Sequence, residues 1–280
     1  MIRNIPGKYM DIKNGQVYYE YIQNPSARET IVCLHGFLAS SFSFRRILPY
    51  LKNDFHILLV DLPPFGKSGK VRGYTFSYKN LAKTVIMLIE QLNIEKVILL
   101  GHSMGGQISL HIAKLRPDLV KSAVLLGSSS YLKKMKPLLV MASYLPISHI
   151  FVKRWLERSG LEQNLKLVVY NKAIIDKEME EGYLAPFLHD DIFRGLAKMI
   201  RHWEGDMPRE ALHQIETPIL LIWGEHDKVL PLSFGKRLKN DLKNSKLVVL
   251  KDTGHLVPEE QPEEVQKQIK AFLSLEQKEL

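Results

Sequence analysis

A single cysteine, Cys33, among 280 residues excludes an intramolecular disulfide and any cysteine-built metal centre. It stands inside the apolar run Thr30-Ile31-Val32-Cys33-Leu34 and reads as a small buried hydrophobe. No uninterrupted apolar stretch is long enough to span a bilayer. The opening residues, Met1 to Gly7, lack the apolar core of a signal peptide, so a cytoplasmic protein is expected. No group of His, Cys and carboxylate side chains has metal-ligand spacing, and no metal is expected. Acid is in deficit: 30 Asp and Glu face 39 Lys and Arg, a formal charge of +9. The basic residues are spread along the chain without a nucleic-acid-binding motif, so no nucleic-acid partner is expected. A composition of 45% hydrophobic and 25% charged residues excludes disorder and leaves enough apolar material for a large core.

What is present is an alternation of buried strands and amphipathic helices. Apolar pieces around Lys13-Asn14-Gly15-Gln16 predict an antiparallel hairpin at the start, since Asn-Gly between apolar runs is a strong turn signal. Continuous apolar runs at Ile31–Leu34, Phe55–Val60, Val97–Leu100, Ala123–Leu126, Ile219–Trp223 and Leu247–Leu250 predict strands covered on both faces. Between them lie helical patterns. One starts at Ser40–Ser43, and one is capped by Ser77 and carries Leu81, Val85, Leu88, Ile89 and Leu92. Another carries Ile108, Ile112 and Leu115 up to Pro117, one runs through Phe234 and Leu238, and the last begins near Pro262 with Val265, Ile269, Phe272 and Leu273. Such alternation implies an α/β fold with a mostly parallel central sheet. From about Tyr131 to Trp203 no buried strand pattern occurs. The expected organisation is therefore a core of residues 1–129 and 205–280 with a helical cap, residues 130–204, inserted in it.

In parallel sheets function gathers at the carboxyl ends of the strands, and four loops there carry reactive residues. Val97 to Leu100 runs straight into Gly101-His102-Ser103-Met104-Gly105-Gly106. A Ser between such glycines, at a sharp strand-to-helix turn, presents its hydroxyl clear of the sheet as a nucleophile. The Met104 N–H, first in the following helix, can hold an oxyanion with the helix dipole behind it. Gly36 of His35-Gly36-Phe37 allows a turn that aims the Phe37 N–H at the same space. His255, after the last strand, is the candidate base. Asp227, in Trp223-Gly224-Glu225-His226-Asp227, is the candidate orienting carboxylate, with Glu225 as the alternative. His35 and His102 read as loop-shaping residues, and His149, His189, His202 and His213 as surface or cap positions.

These motifs, together with the Asp61–Ser68 loop, closely resemble the α/β-hydrolase fold superfamily, over about Ile12 to Leu273. The resemblance implies Ser103, Asp227 and His255 as a catalytic triad, Phe37 and Met104 as oxyanion donors, a structural role for Asp61 and no cofactor. It also implies a cap between the sixth and seventh strands. A Ser at the elbow departs from the Asp nucleophile of epoxide hydrolases and haloalkane dehalogenases of this fold. His102 and Leu256 depart from the Asn and Trp usual in the carbon–carbon hydrolases of meta-cleavage pathways. The likeness is strongest to carboxylesterase and lipase-like members with a small cap. A thioesterase, a carbon–carbon hydrolase and a small-molecule receptor on the same fold are the alternatives. The expected substrate is an apolar ester, with Phe37, Met104, Leu138, Tyr144, Phe187, Trp203 and Leu256 as candidate pocket walls. The apolar stretch Leu138–Val152, flanked by Lys133, Lys134, Lys136, Lys153 and Arg154, reads as helix packing over the core. It also reads as an acyl-binding roof able to touch an anionic membrane surface weakly.

Overall fold

The computed structural model describes residues 6–13, 15–68, 73–188 and 190–276; the expectations placed on Met1–Ile5, Asn14 and His189 lie outside them. Strands β1 (Lys8–Ile12), β2 (Gly15–Ile22) and β3 (Thr30–Leu34) open the chain, followed by α1 (Leu48–Leu51), β4 (His56–Val60) and α2 (Tyr78–Gln91). Then come β5 (Val97–His102), α3 (Met104–Leu115) and β6 (Val120–Leu126). The cap follows as α4 (Pro137–Ser143), α5 (Ser148–Ser159), α6 (Leu161–Val168), α7 (Lys177–Leu184) and α8 (Asp191–His202). The short α9 (Arg209–Leu212) leads back to β7 (Ile219–Gly224), α10 (Leu232–Asp241), β8 (Ser245–Leu250), α11 (Val257–Glu260) and α12 (Pro262–Glu276).

The strands form one eight-stranded sheet in the order β1-β2-β4-β3-β5-β6-β7-β8. β1 and β2 are an antiparallel hairpin in which Gly15 pairs with Ile12, and β2 runs antiparallel to β4. Every later pairing is parallel. The register aligns Leu34 with Gly101, Gly101 with Leu125, Leu125 with Leu221 and Leu221 with Leu247. The loops after β3, β5, β6, β7 and β8 therefore leave the sheet along one edge.

Alternate residues of each strand feed two cores. Val32, Leu34, Leu99 and Leu125 pack under Leu81 and Val85 of α2 and Ile108 and Ile112 of α3. Ile31, Cys33, Leu100 and Val124 face Val265 and Ile269 of α12. Each fully buried Leu or Ile contributes about 2 kcal/mol, so the central strands carry much of the stability. Ser77 caps α2 by accepting the Asn80 N–H at 3.2 Å, as its position before the apolar pattern predicts. β6 begins at Val120, three residues before the apolar run that marks it in sequence, because Lys121 and Ser122 interrupt that run.

Among the described residues the segment between β6 and β7 contains only helices. Helix α8 is the foundation of the cap. It buries Ile192, Phe193, Leu196 and Met199 against the core, and its Gly195 lies so close to Pro64 that a Cβ would come within 2.3 Å of it. Helices α4 and α5 pack on α8. On the other side Leu165, Val169, Met179 and Tyr183 of the cap close over Ala39 and Leu256 of the core. No described helix is long and apolar enough to cross a membrane.

Candidate active site

β5 ends at His102 and α3 begins at Met104, leaving Ser103 alone on the turn with φ 51° and ψ −116°. A non-glycine residue in this region is strained by about 1–3 kcal/mol, and the packing around it must hold it there. The glycines on either side make that packing possible. A Cβ on Gly101 would meet the Gly105 carbonyl oxygen at 2.5 Å, and one on Gly105 would meet that of Leu34 at 1.9 Å. The loop leaving β3 passes directly over the candidate nucleophile: a Cβ on Gly36 would lie 3.1 Å from the Ser103 Cβ. Among the described residues, neither the Phe37 nor the Met104 N–H is taken up by a protein acceptor.

His35 and His102 shape this corner. The buried His35 ring accepts the Leu62 N–H at Nε2 (2.9 Å), which leaves Nδ1 to donate to the Gly36 carbonyl oxygen at 2.8 Å. Burial holds its pKa below the ordinary histidine value. His102 donates from Nε2 to the backbone oxygen of His255 at 2.9 Å, and its ring lies 4.9 Å from that of His255. Burial, helped by the neighbouring His255, lowers the His102 pKa to about 3, so it is a neutral scaffold group. Asp61 is likewise structural, accepting the Ser41 and Lys67 N–H groups at 2.8 Å each.

The loops after β7 and β8 are zipped together. Glu225 donates its N–H to Leu250 and His226 to Thr253, both at 2.9 Å, and a Cβ on Gly224 would strike the Gly254 oxygen at 2.1 Å. This brings Asp227 Oδ2 to 2.8 Å from His255 Nδ1. The second oxygen, Oδ1, accepts the Val229 and Leu230 N–H groups at 2.9 and 2.8 Å, so the carboxylate is fixed at both ends. The Asp227 side chain is fully buried, whereas Glu225 is exposed beside His226 and does not reach His255. Gly127, with φ +47°, forms the floor: a Cβ there would lie 3.2 Å from Asp227 Oδ2. With Nδ1–H donated to the carboxylate, Nε2 of His255 keeps its lone pair for a proton. No direct Ser103–His255 hydrogen bond forms among the described residues; such bonds commonly tighten as substrate engages.

The candidate pocket residues divide. Met104 is buried at the start of α3, and Phe37 is partly exposed, its ring edge-on to Phe65 at 5.5 Å. Phe187 is half-buried against Phe193. Leu256 lies inside the cluster that joins cap to core. Trp203 packs on Tyr78 at the foot of the cap and donates its indole N–H to Lys133 O at 3.1 Å. Leu138 and Tyr144 are exposed on the outer cap. A separate cleft of about 980 Å³ opens between the Asp61–Ser68 loop and the cap, lined by Phe42, Pro64, Lys67, Pro186 and Ile192 among others. Ser103, Asp227 and His255 are not in its wall.

Sequence reasoning missed the clasp behind the candidate base. The Val168 carbonyl oxygen, at the end of α6, accepts the His255 N–H at 2.7 Å. Glu260 accepts Gly254 N–H on one oxygen (2.8 Å) and the Tyr170 and Asn171 N–H groups on the other (2.8 and 3.1 Å). One carboxylate thus joins the histidine loop to the cap. Next to it, Glu259 is enclosed by Arg45, Arg46 and the cap residue Tyr183.

A parallel sheet with a serine elbow, a buried Asp–His pair at neighbouring strand ends and a helical cap defines an α/β hydrolase. The chain belongs to the α/β hydrolase fold family, which it matches over residues 29–147 and 189–262. It is 47% identical to the uncharacterized hydrolase YugF of Bacillus subtilis, over 96% of this chain and 98% of that one. It is 27% identical to a 2-hydroxy-6-oxononadienedioate/2-hydroxy-6-oxononatrienedioate hydrolase of Escherichia coli, over 81% of each chain. The solved structure of a thermophilic esterase from Thermogutta terrifontis superposes with a TM-score of 0.78 at 20% identity, covering 97% of this chain and 99% of that one.

Proposed function

We propose that this hydrolase cleaves carboxylic esters through an acyl-enzyme on Ser103. The observation that carries the reading is the 2.8 Å contact between His255 Nδ1 and Asp227 Oδ2, set at the strand ends beside the Ser103 elbow. In this reading His255 Nε2 takes the Ser103 proton as Oγ attacks the acyl carbonyl carbon. The carbonyl oxygen becomes an oxyanion held by the Phe37 and Met104 N–H groups, an interaction worth about 3 kcal/mol per donor. The tetrahedral adduct collapses, the ester C–O bond breaks, and the alcohol leaves with the proton from His255. Water, deprotonated by the same imidazole, then releases the acid and restores Ser103. Among the candidate pocket walls, Met104 and Phe187 supply the apolar character that suits an uncharged acyl group.

The meta-cleavage relative makes carbon–carbon hydrolysis the competing reaction, and His102 and Leu256 depart from that pattern. The test is turnover of nitrophenyl esters of increasing acyl length beside a meta-cleavage ring-fission dienoate, with Ser103→Ala as control. Ester turnover with a length optimum, lost in Ser103→Ala, is expected. Turnover of the dienoate alone overturns the ester reading.

A further inference from the structure

Helices α4 and α5 carry an apolar face that no described residue covers. Helix α5 contains no buried residue; its inward side, Val152 and Leu156, rests partly buried on the core. Its outer side presents Phe151 and Trp155 at i and i+4 spacing, one stripe of a helix, with the exposed Ile147 at its N-cap in line with them. Helix α4 presents Leu138 and Met141 at i and i+3, 76% and 70% exposed, and the exposed Leu145 follows it in the turn toward α5. Exposed side chains of this size in one helical hairpin exceed the scattered apolar residues normal on a protein surface.

The rim of this face is basic. Lys133, Lys134 and Lys136 precede α4 and Arg154 and Arg158 lie on α5, all exposed, with Glu157 as the acid between residues 133 and 159. Trp155, 66% exposed, and Tyr144, beneath the Arg201 guanidinium at 4.5 Å, are the aromatic types that favour a membrane–water boundary. A second copy of the chain fits this face poorly, because a two-fold contact would set the same basic rims against each other. An anionic bilayer complements both parts at once, taking the apolar stripes among its acyl chains and the cations among its headgroups.

We propose that the outer face of α4 and α5 docks the protein on an anionic lipid bilayer. The docking is peripheral and reversible, and it is independent of which bond the active site breaks.

The test is flotation of the whole protein with vesicles of equal parts phosphatidylglycerol and phosphatidylcholine, and with phosphatidylcholine alone, at low and high salt. The native protein should float with the anionic vesicles at low salt and be released by high salt. Met141→Ser with Trp155→Ser should lower the partition about tenfold. Lys134→Gln with Lys136→Gln should lower it by roughly fivefold per charge. Unchanged melting temperatures show that both variants are folded. Native protein left unfloated at low salt overturns the proposal, as does floating that neither pair of substitutions weakens. A native dimer in sedimentation velocity that Met141→Ser with Trp155→Ser dissociates overturns it in favour of a second copy.

Discussion

Nδ1 of His255 lies 2.8 Å from Oδ2 of Asp227, while the other Asp227 oxygen is tied to the backbone N–H groups of Val229 and Leu230. The carboxylate cannot swing away, so the imidazole tautomer is set by the backbone after β7. Asp227→Asn replaces an acceptor with a donor facing Nδ1 and favours the wrong tautomer. A loss of about 10⁴-fold in kcat is expected without loss of fold. Glu225→Gln, at an exposed carboxylate, should change kcat less than about twofold. Steady-state kinetics of the two variants distinguishes the acids.

Gly36 bears on the proposed oxyanion donor rather than on His255. In Gly36→Ala the new Cβ would stand 3.1 Å from both the Ser103 Cβ and the His102 Nδ1, so the loop carrying the Phe37 N–H must shift. Displacement of one donor on this scale should lower kcat by about 100-fold with KM little changed. An unchanged kcat would remove the Phe37 N–H from the oxyanion site.

Glu260 couples the histidine loop to the cap through three backbone N–H groups. Glu260→Ala leaves the Gly254 N–H without an acceptor, which should cost about 2 kcal/mol of stability and loosen His255 from behind. Activity should fall together with protease resistance of the Val168–Asn171 segment. Loss of activity with the cap as resistant as before would show that the carboxylate serves the histidine loop alone.

Glu259 gives the fold a pH dependence of defined sign. Burial pushes its carboxyl up to about 7, although Arg45 and Arg46 draw it down. The folded value exceeds the ordinary 4.5, so the native chain holds a proton that the unfolded chain has released between these values. Its contribution is fully present below pH 4.5 and lost as pH rises through about 7, with an amplitude of at most about 3 kcal/mol. Urea unfolding of the native protein against Glu259→Gln across that window should show the native advantage shrinking with pH. Parallel curves would contradict the assignment.

The strand-to-helix turn at Ser103 was legible because an apolar strand run ends abruptly in Gly101-His102-Ser103-Met104-Gly105, a pattern with one local geometry. Asp227 and His255 stand just after strands in sequence, and the pattern of the loop favours Asp227 over Glu225; that Asp227 is buried on His255 while Glu225 is exposed appears only once the β7 and β8 loops are zipped together. The start of β6 was hidden by Lys121, which is only partly buried, and by Ser122, a polar residue buried inside the strand. Glu260 reads in sequence as a polar residue before the last helix; its cap partners Tyr170 and Asn171, some 90 positions away, are chosen by how the cap lies on the core. Leu256 reads in sequence as a candidate pocket wall, and in the fold its side chain joins the cap–core cluster.

Covalent labelling addresses the proposed nucleophile itself. The native protein treated with a fluorophosphonate, then digested and mapped by mass spectrometry, should carry one adduct per chain on Ser103. The labelling rate should fall by about 10³-fold or more in His255→Ala. An adduct on another residue, or labelling that proceeds as fast without His255, would contradict the assignment of Ser103 as the nucleophile activated by His255.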